Sequence, residues 1–593
     1  MKRLFRLAQA RNLDRVAVAY AIAGWVLVQG ASIVFPAFDA PGWALRAFIM
    51  TVLIGFPVAL VIAWFTVPQG ELEEVKTGPI SSREIVLIAL LAAVALLSVG
   101  EPFFLVRSPA VKIESASAGP LAASIAVLPF VNMSGDPNRE IFSDGISEEL
   151  LNDLSNIAAL RVAARTSSFA FKGKNEDVRQ IARLLNVRSL LIGSIREDGQ
   201  HIRISAQLIN AADGFQLWSS TYDRELTGIL TLEDEIARAI TAALTNRLLG
   251  TAPHPGKPDS INPQAYRLYL EGQHELGPRT QAGIAKSVEL FKQVTALQPD
   301  FAAGFAALAR ALINHAEYHP EQKDLLPSAQ AALEQALKLD PKNLEALAAH
   351  LDLAIHRLDW QTATADAHRM EAINPNSATV LHEMFRYYQV LGFPYKALAA
   401  ARGVVKLNPL SFVDRYNVAA ALIHNGQYDD AVSAAHDALV LEPNQTEALA
   451  MLCTADARSH RLDDAHAVLA NLRTYNDAAS TSGCDFDIAV AENRLPDARR
   501  NTDAQALQFP HGDFDAADFG ERTAQTRDFD KAAQWFTRAY DARAFTLFTI
   551  PYSRSIPPEF FQSAGWKALS NRPLFKDWQT AHDSLAAALG ASG

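Results

Sequence analysis

Four small groups of residues have the types and spacing for chemistry. Gly173 and Lys174 end a fragment like a phosphate loop, whose backbone amides would cradle a phosphate. Ser168 stands where that loop needs glycine, however, and Asn175 where it needs Ser or Thr, so no nucleotide site is expected. Asp144, Glu148 and Glu149 flank Gly145; close carboxylates can do acid/base work or hold a metal. A turn followed by an acid-rich helix start explains them as well, because acids suit a helix N-terminus. His315 and His319 are one helical turn apart and can share a metal. Glu317 is misplaced for a zincin pattern and no third ligand offers itself, so surface histidines are expected. Cys453 and Cys484 are the two cysteines of the chain. They either form one bridge, if that region meets an oxidising compartment, or serve as small buried apolar residues. Two cysteines exclude a disulfide framework and a Cys-based zinc knuckle, and no Gly-x-Ser-x-Gly elbow occurs. The chain is thus expected to hold no catalytic, cofactor or metal site.

The elements that would position any site are unevenly distributed. At 593 residues the chain exceeds what one core supports, so several domains are expected. The net charge is -11 and no dense basic run lies beyond the amino terminus, which argues against nucleic acid as a partner. Residues 1–106 carry three apolar runs, 16–35, 47–67 and 85–106. The first two have the length that spans a bilayer, and the third reaches it only by continuing past Glu101 and Pro102. Lys2, Arg3, Arg6, Arg11 and Arg15 precede the first run, while Lys76 and Arg83 lie between the second and third. By the positive-inside rule the amino terminus is expected in the cytoplasm. With three spans the later domains lie outside it; with two they lie inside. The expected location is a bacterial inner membrane, crossed several times, with the bilayer as one partner and the carboxy-terminal domains periplasmic.

A polar linker at 107–123 leads into residues 124–250. Ser124 to Val131 reads as a buried strand and Asn132 to Asn138 as a turn. Helical spacing follows at Ile146, Leu150, Leu151 and Leu154, then a brief strand at Arg161 to Arg165. Asn175 to Leu185 reads as a capped helix, 189–196 and 201–210 as a hairpin about Asp198-Gly199, and 215–222 as a last strand. Leu232 to Leu249 is an amphipathic helix. The order βαβαβββα predicts a compact α+β layer. Arg165, Thr166, Ser167, Ser168 and Lys172 form a polar connection, either a partner surface or merely solvated.

Four blocks of this module resemble the bacterial family related to the TolB amino-terminal domain: Ile125-Ala-Val-Leu-Pro-Phe, Phe142-Ser-Asp-Gly-Ile-Ser-Glu-Glu-Leu, Arg165-Thr-Ser-Ser-Phe-Ala-Phe-Lys-Gly and Leu217-Trp-Ser-Ser-Thr-Tyr-Asp-Arg-Glu. The resemblance implies tetratricopeptide repeats downstream. In that family the module often follows an adenylate/guanylate cyclase or winged-helix domain, and here an apolar region stands in that place.

After a linker at 251–262 the chain is periodic. Pro341, Pro375, Pro409 and Pro443 are 34 residues apart, as are Ala329, Ala363, Ala397, Ala431 and Ala465, each 12 residues before its proline where one exists. Pro299, with Ser287, opens the series. This resembles the tetratricopeptide repeat: a small residue lies where two helices cross, and proline stops the second helix. About eight units are expected over 263–543, with an expanded loop near His315 to Pro327 and a helical cap at 544–593 holding Trp566, Leu574, Phe575 and Trp578. The resemblance makes each first helix line a groove, at Glu345, Asp352 and His356 in the third unit and at Thr379, His382, Arg386 and Gln389 in the fourth. These residues either hold a peptide or are solvated.

The expected fold is therefore a transmembrane α-helical bundle, a compact α+β domain and an all-α tetratricopeptide-repeat superhelix. The expected function is a non-catalytic, membrane-anchored scaffold that binds a protein or peptide and no small-molecule substrate. The alternative is a signalling component related to cyclase or transcription-regulator fusions, acting through a separate cytoplasmic output partner. A cyclase activity proper would need a catalytic domain of its own.

Overall fold

The computed structural model describes residues 123–136, 139–174, 176–245, 260–278, 280–318, 325–508 and 516–591, together with Val52. Chain contacts divide the protein into two units, Met1–Lys112 and Ile113–Gly593, and all the described residues except Val52 belong to the second. The expected spans at 16–35, 47–67 and 85–106 lie outside the described residues, Val52 aside. Among the described residues no helix is long and apolar enough to cross a membrane. Even the 19-residue helix Pro573–Ala591 interrupts its apolar residues with Lys576, Asp577 and Asp583. This corrects the expected fold class. The fold described is a mostly helical, tetratricopeptide-like superhelix that carries a sheet module; a transmembrane bundle and a multi-pass inner-membrane location are not supported.

The module is a six-stranded mixed sheet with order β3-β1-β4-β5-β6, β2 pairing β4. Its strands are β1 (Ser124–Val127), β2 (Val131–Asn132), β3 (Arg161–Val162), β4 (Ser189–Asp198), β5 (His201–Asn210) and β6 (Gln216–Glu225). β1 runs parallel to β3 and β4, while β4, β5 and β6 form an antiparallel meander. Gly199 takes a left-handed φ of 63° in the β4–β5 turn, which glycine adopts without a Cβ clash. Side chains alternate across β1 as the pleat requires. Ile125 and Val127 join the core under helices α1 (Glu140–Ser155) and α4 (Ile229–Thr245), whereas Ala126 and Leu128 meet α3 (Val178–Leu185) on the other face.

Two local readings are corrected here. Asp144 and Gly145 are not a turn; they lie inside α1, which starts at Glu140. Gly145 is kept there by contact, since a Cβ would meet Leu270 side-chain atoms at 2.7–2.9 Å. α3 starts at Val178, capped by Asp177, whose carboxylate accepts from Arg179 N, rather than at Asn175.

Among the described residues eight antiparallel helix pairs follow: α5 (Pro263–Leu276) with α6 (Gln281–Leu297), α7 (Ala302–Tyr318) with α8 (Leu325–Leu339), α9 (Leu344–Arg357) with α10 (Trp360–Ile373), and α11 (Ala378–Val390) with α12 (Pro394–Leu407). Then come α13 (Phe412–His424) with α14 (Tyr428–Leu441), α15 (Thr446–Arg458) with α16 (Leu462–Leu472), α17 (Ala478–Ala491) with α18 (Leu495–Gln508), and α19 (Ala516–Gln525) with α20 (Phe529–Asp541). Ala329, Ala363, Ala397, Ala431 and Ala465 are at most 2% exposed, because a larger side chain would hold the paired helices apart. Pro299, Pro341, Pro375, Pro409 and Pro443 each stand two residues beyond a second helix, where the missing N–H stops it. The extra length of the second pair goes partly into α7, which reaches Tyr318 and so contains His315; His319 lies outside the described residues.

The module is joined to the array by more than a tether. α1 and α4 share one continuous core with Tyr266, Tyr269, Phe291 and Phe301 of the first pairs. Tyr269 donates to Glu149 Oε1 at 3.0 Å, and Tyr266 donates to the fully buried Glu233. Farther along, residues just before the repeat prolines grip the module. Asn374 Nδ2 donates to the Ser155 carbonyl at 2.5 Å, and Asn408 Oδ1 accepts from Ser167 Oγ at 2.7 Å and from Ser167 N at 3.1 Å.

At the other end, residues 544–591 fold back on the turns within the third, fourth and fifth pairs. They comprise two 3-10 segments, Phe545–Tyr552 and Pro558–Gln562, and the helices α21 (Ala564–Ser570) and α22 (Pro573–Ala591). Phe548 packs on Trp360, Tyr552 against Gly392, and Trp578 Nε1 donates to the Val390 carbonyl at 2.8 Å. A solenoid, in which repeats pack mainly on their neighbours, is thereby pinned across nearly two hundred residues of sequence.

Candidate functional site

The first helices of successive pairs stand side by side, and one row of their side chains faces inward. Arg310 on α7 and Glu383 on α11 belong to helices two pairs apart, yet they lie 3.9 Å apart. Side chains of non-adjacent helices can converge only on the concave face, since on the convex face they diverge. That contact fixes the inner row. It consists of Arg310, Asp352, Arg386, Ala420, Thr454, Asp487 and Glu521, all at the same repeat position once the longer second unit and one deleted residue are allowed for. One turn along, a second row holds His356, Val390, His424, Arg458, Ala491 and Gln525.

Two polar clusters stand on these rows. In the first, Arg386 pairs with the buried Asp352 at 2.7 Å, and Glu383 lies 3.9 Å from Arg386. His356 Nδ1 is 2.9 Å from the Asp352 carbonyl and 3.2 Å from its carboxylate, and its ring packs edge-on to Phe545 of the tail. Burial opposes the charge on Asp352, but the His356 hydrogen bond with Arg386 and Arg310 outweighs it and holds the carboxyl well below 3.8. Burial likewise opposes a charged His356, yet Asp352 outweighs it and holds the imidazole above 6.5.

The sign of the resulting pH dependence follows from linkage. The raised His356 contributes stability fully below 6.5 and loses it as pH rises through its folded value. The lowered Asp352 contributes stability above 3.8 and loses it as pH falls through its folded value. The pair is therefore most stabilising between those limits. Thermal melts from about pH 6 to about pH 8.5 are expected to show a falling Tm that His356→Gln flattens. An unchanged slope in the variant would place the titration elsewhere.

In the second cluster Arg458 donates to Asp487 Oδ1 through Nε at 3.3 Å and Nη2 at 3.1 Å, and Thr454 Oγ1 donates to Asp487 Oδ2 at 2.6 Å. Burial disfavours the Arg458 charge, but Asp487 and Glu521 more than compensate and raise its pKa. Ser553 of the tail donates to Glu521 at 2.7 Å. These residues, with His424, Arg522 and Ser555, line a cavity of about 190 Å³.

The residues singled out from sequence separate into three environments. Asp352, His356 and Arg386 meet in the first cluster. His382 faces Asp414 at 3.9 Å, and Gln389 sits half-buried one residue before the end of α11. Glu345 and Thr379 instead line a cleft of about 90 Å³ between the array and α1. Arg310, Glu383 and the whole second cluster escaped the sequence reading. The period itself carried the signal: stepping Asp352 and His356 forward by repeats lands on Thr454, Asp487, Glu521 and Arg458.

The polar stretch of the module and the acidic face of α1 answer each other. Lys172 pairs with Glu140 at 3.0 Å and Asp144 at 2.5 Å, and Arg165 pairs with Glu148 at 2.7 Å while lying over Phe169. Residues Arg165–Phe169 form a short helix, α2, rather than a loop. Ser167 and Ser168 are buried, Ser167 on Asn408 as described, and only Thr166 and Lys172 are exposed there. Cys453 and Cys484 are joined as a disulfide, with Cα atoms 5.6 Å apart. Among the described residues no group of three or more His, Cys, Asp or Glu side chains is placed to hold a metal.

No family model matches the chain. A stretch of 193 residues is 40% identical to putative adenylate cyclase 3 of Rhizobium meliloti (strain 1021), covering 32% of each protein; the chain thus matches about a third of that relative's length. Solved structures similar to it include PilW, a widely conserved type IV pilus biogenesis factor (20% identity, 36% of this chain and 94% of that one, TM-score 0.30). A tetratricopeptide repeat protein from Parabacteroides merdae ATCC 43184 is 15% identical, over 45% of this chain and all of that one, with TM-score 0.33. YrrB, a TPR protein with an unusual peptide-binding site, is 17% identical over 33% of this chain and 96% of its own, with TM-score 0.27. The helix pairs of the array, repeating with a 34-residue period, are tetratricopeptide-like in fold.

Proposed function

We propose that this protein is a non-catalytic interaction scaffold whose concave face binds an extended segment of a partner protein. On this reading residues 124–250 are a TolB amino-terminal-like domain, residues 263–543 the binding array and residues 544–593 its cap. The observation that carries it is the inner row: charged side chains of α7, α9 and α11 converge on the concave face at Arg310, Asp352, Glu383 and Arg386. His382 and Gln389 extend that polar surface, while Glu345 and Thr379 line the separate cleft against α1. Neither a nucleic acid nor a small-molecule substrate enters this reading.

Selection from a random peptide library against the purified chain should yield binders. Arg310→Ala should weaken them at least about tenfold, the order expected for a desolvated charge-assisted contact. Binders indifferent to Arg310, His382 and Gln389 substitutions would sink the groove reading.

A second reading, a signalling component of cyclase-type systems, draws on the 193-residue identity to putative adenylate cyclase 3. Proximity labelling that recovers a separate output partner of cyclase or regulator type would favour this reading, whereas sustained cyclic-nucleotide production by the purified chain itself would overturn both, since both are non-catalytic.

A further inference from the structure

Cys453 lies on α15 and Cys484 on α17, the first helices of adjacent pairs, and both are 0% exposed. They sit in a small closed cluster with Leu449, Ala457, Leu469 and Ile488. Their sulfurs stand 3.8 and 4.0 Å from the carbonyl of Ala465, the small residue at the helix crossing. Directly above, the same two helices hold the second polar cluster: Thr454 follows Cys453, and Asp487 is one turn beyond Cys484. The covalent tie therefore sets the separation of the helices on which Thr454 and Arg458 reach Asp487, and these three line the 190 Å³ cavity.

We propose that the Cys453–Cys484 bond is a redox latch on this half of the concave face. Oxidised, it fixes the spacing of α15 and α17 and so the Thr454–Asp487–Arg458 constellation. Reduced, two thiols cannot occupy the space of one bond in a cluster this tight, and the two helices loosen against each other. The chemistry is thiol–disulfide exchange: the protein disulfide and two small-molecule thiols give two cysteine thiols and one small-molecule disulfide, through a mixed disulfide. Two electrons pass to the protein, and the two protons come from the thiols. Closure is the reverse, with a small-molecule disulfide as oxidant. Because both sulfurs are buried, exchange waits on local opening of the pair, which makes the latch slow rather than continuously responsive. The proposal holds whether or not the concave face takes a peptide, since it concerns the geometry of the cavity.

The test begins with maleimide labelling of the denatured chain. Without reductant no thiol should react; after dithiothreitol two should. Native-state hydrogen exchange then compares oxidised, reduced and reoxidised wild type with Cys453→Ala/Cys484→Ala, which keeps the cluster apolar. Amides of α15 and α17 should exchange at least about tenfold faster in the reduced and double-variant proteins, while α7, α9 and α11 stay unchanged. Oxidised glutathione should restore protection to the wild type only. Free thiols in the untreated chain, unchanged exchange in α15 and α17, or faster exchange spread evenly over the array would each overturn the latch. Reduced wild type alone decides the matter should the double variant fail to fold.

Discussion

Trp578→Ala is expected to destabilise the chain by about 3–5 kcal/mol, the range for deleting a buried aromatic side chain. The indole is 2% exposed and packs against Phe548, Tyr552, Phe575 and His582. Its loss opens a cavity among rings that also form the floor for Trp360, and it removes the donor to the Val390 carbonyl at the end of α11. The nearby His582 Nδ1 bond to the Leu391 carbonyl, at 2.7 Å, depends on the same docking of α22. The effect should therefore travel. Guanidinium unfolding should show the loss, and hydrogen exchange should accelerate at the α11–α12 turn as well as in α22. Val440→Ala, at a side chain 56% exposed, should change stability by less than about 0.5 kcal/mol. If Trp578→Ala loosened only α22, the tail would be an appendage and not the pin that closes the solenoid.

The repeat period was legible because its residues act locally. Alanine at a helix crossing and proline after a helix end are each required by the chain within one turn of themselves, so spacing alone exposes them. Much of the succession of elements along the module, though not the order of strands across the sheet, was legible for a similar reason, since the strand opening at Ser124 and the Asp198-Gly199 turn are decided by neighbours in sequence. The start of α1 was not. Asp144-Gly145 has the composition of a turn, and only Leu270, more than a hundred residues away, explains a glycine inside a buried helix. Likewise the acids of α1 and the basic residues Arg165 and Lys172 each looked like a surface feature until the fold set them against one another. Of the concave positions, those within one repeat could be found by analogy to a repeat. The partners that make them a site, Arg310 with Glu383 and Arg458 with Glu521, come from helices two pairs apart, and superhelical curvature rather than sequence brings them together. The apolar amino-terminal runs had the composition of membrane spans, while the described helices distribute their apolar residues toward one another.

Asn408→Ala carries the second large expectation, about 3 kcal/mol, from several buried polar groups losing their partners together. Asn408 is 6% exposed and serves three groups at once. Its Oδ1 accepts from the Ser167 amide and hydroxyl, and its Nδ2 donates to Asp414 at 2.6 Å. Ser167 Oγ also accepts from Leu410 N at 2.9 Å, and Ala164 N donates to the Leu407 carbonyl at 2.8 Å, so the module edge meets the array backbone on both sides of this one side chain. Alanine leaves the Ser167 amide and the Asp414 carboxylate buried with fewer partners, and no water-sized compensation is available to a methyl group. The repeat supplies its own controls. Asn374 occupies the same position one unit earlier and makes one bond to the module, at Ser155, so Asn374→Ala should cost about 1–2 kcal/mol. Glu442, one unit later and exposed, should tolerate alanine within about 0.5 kcal/mol. The order Asn408, Asn374, Glu442, measured by denaturant unfolding, separates docking from helix capping. A cap would cost similar amounts at all three positions, because each follows its helix at the same place. Docking costs most where the module is gripped.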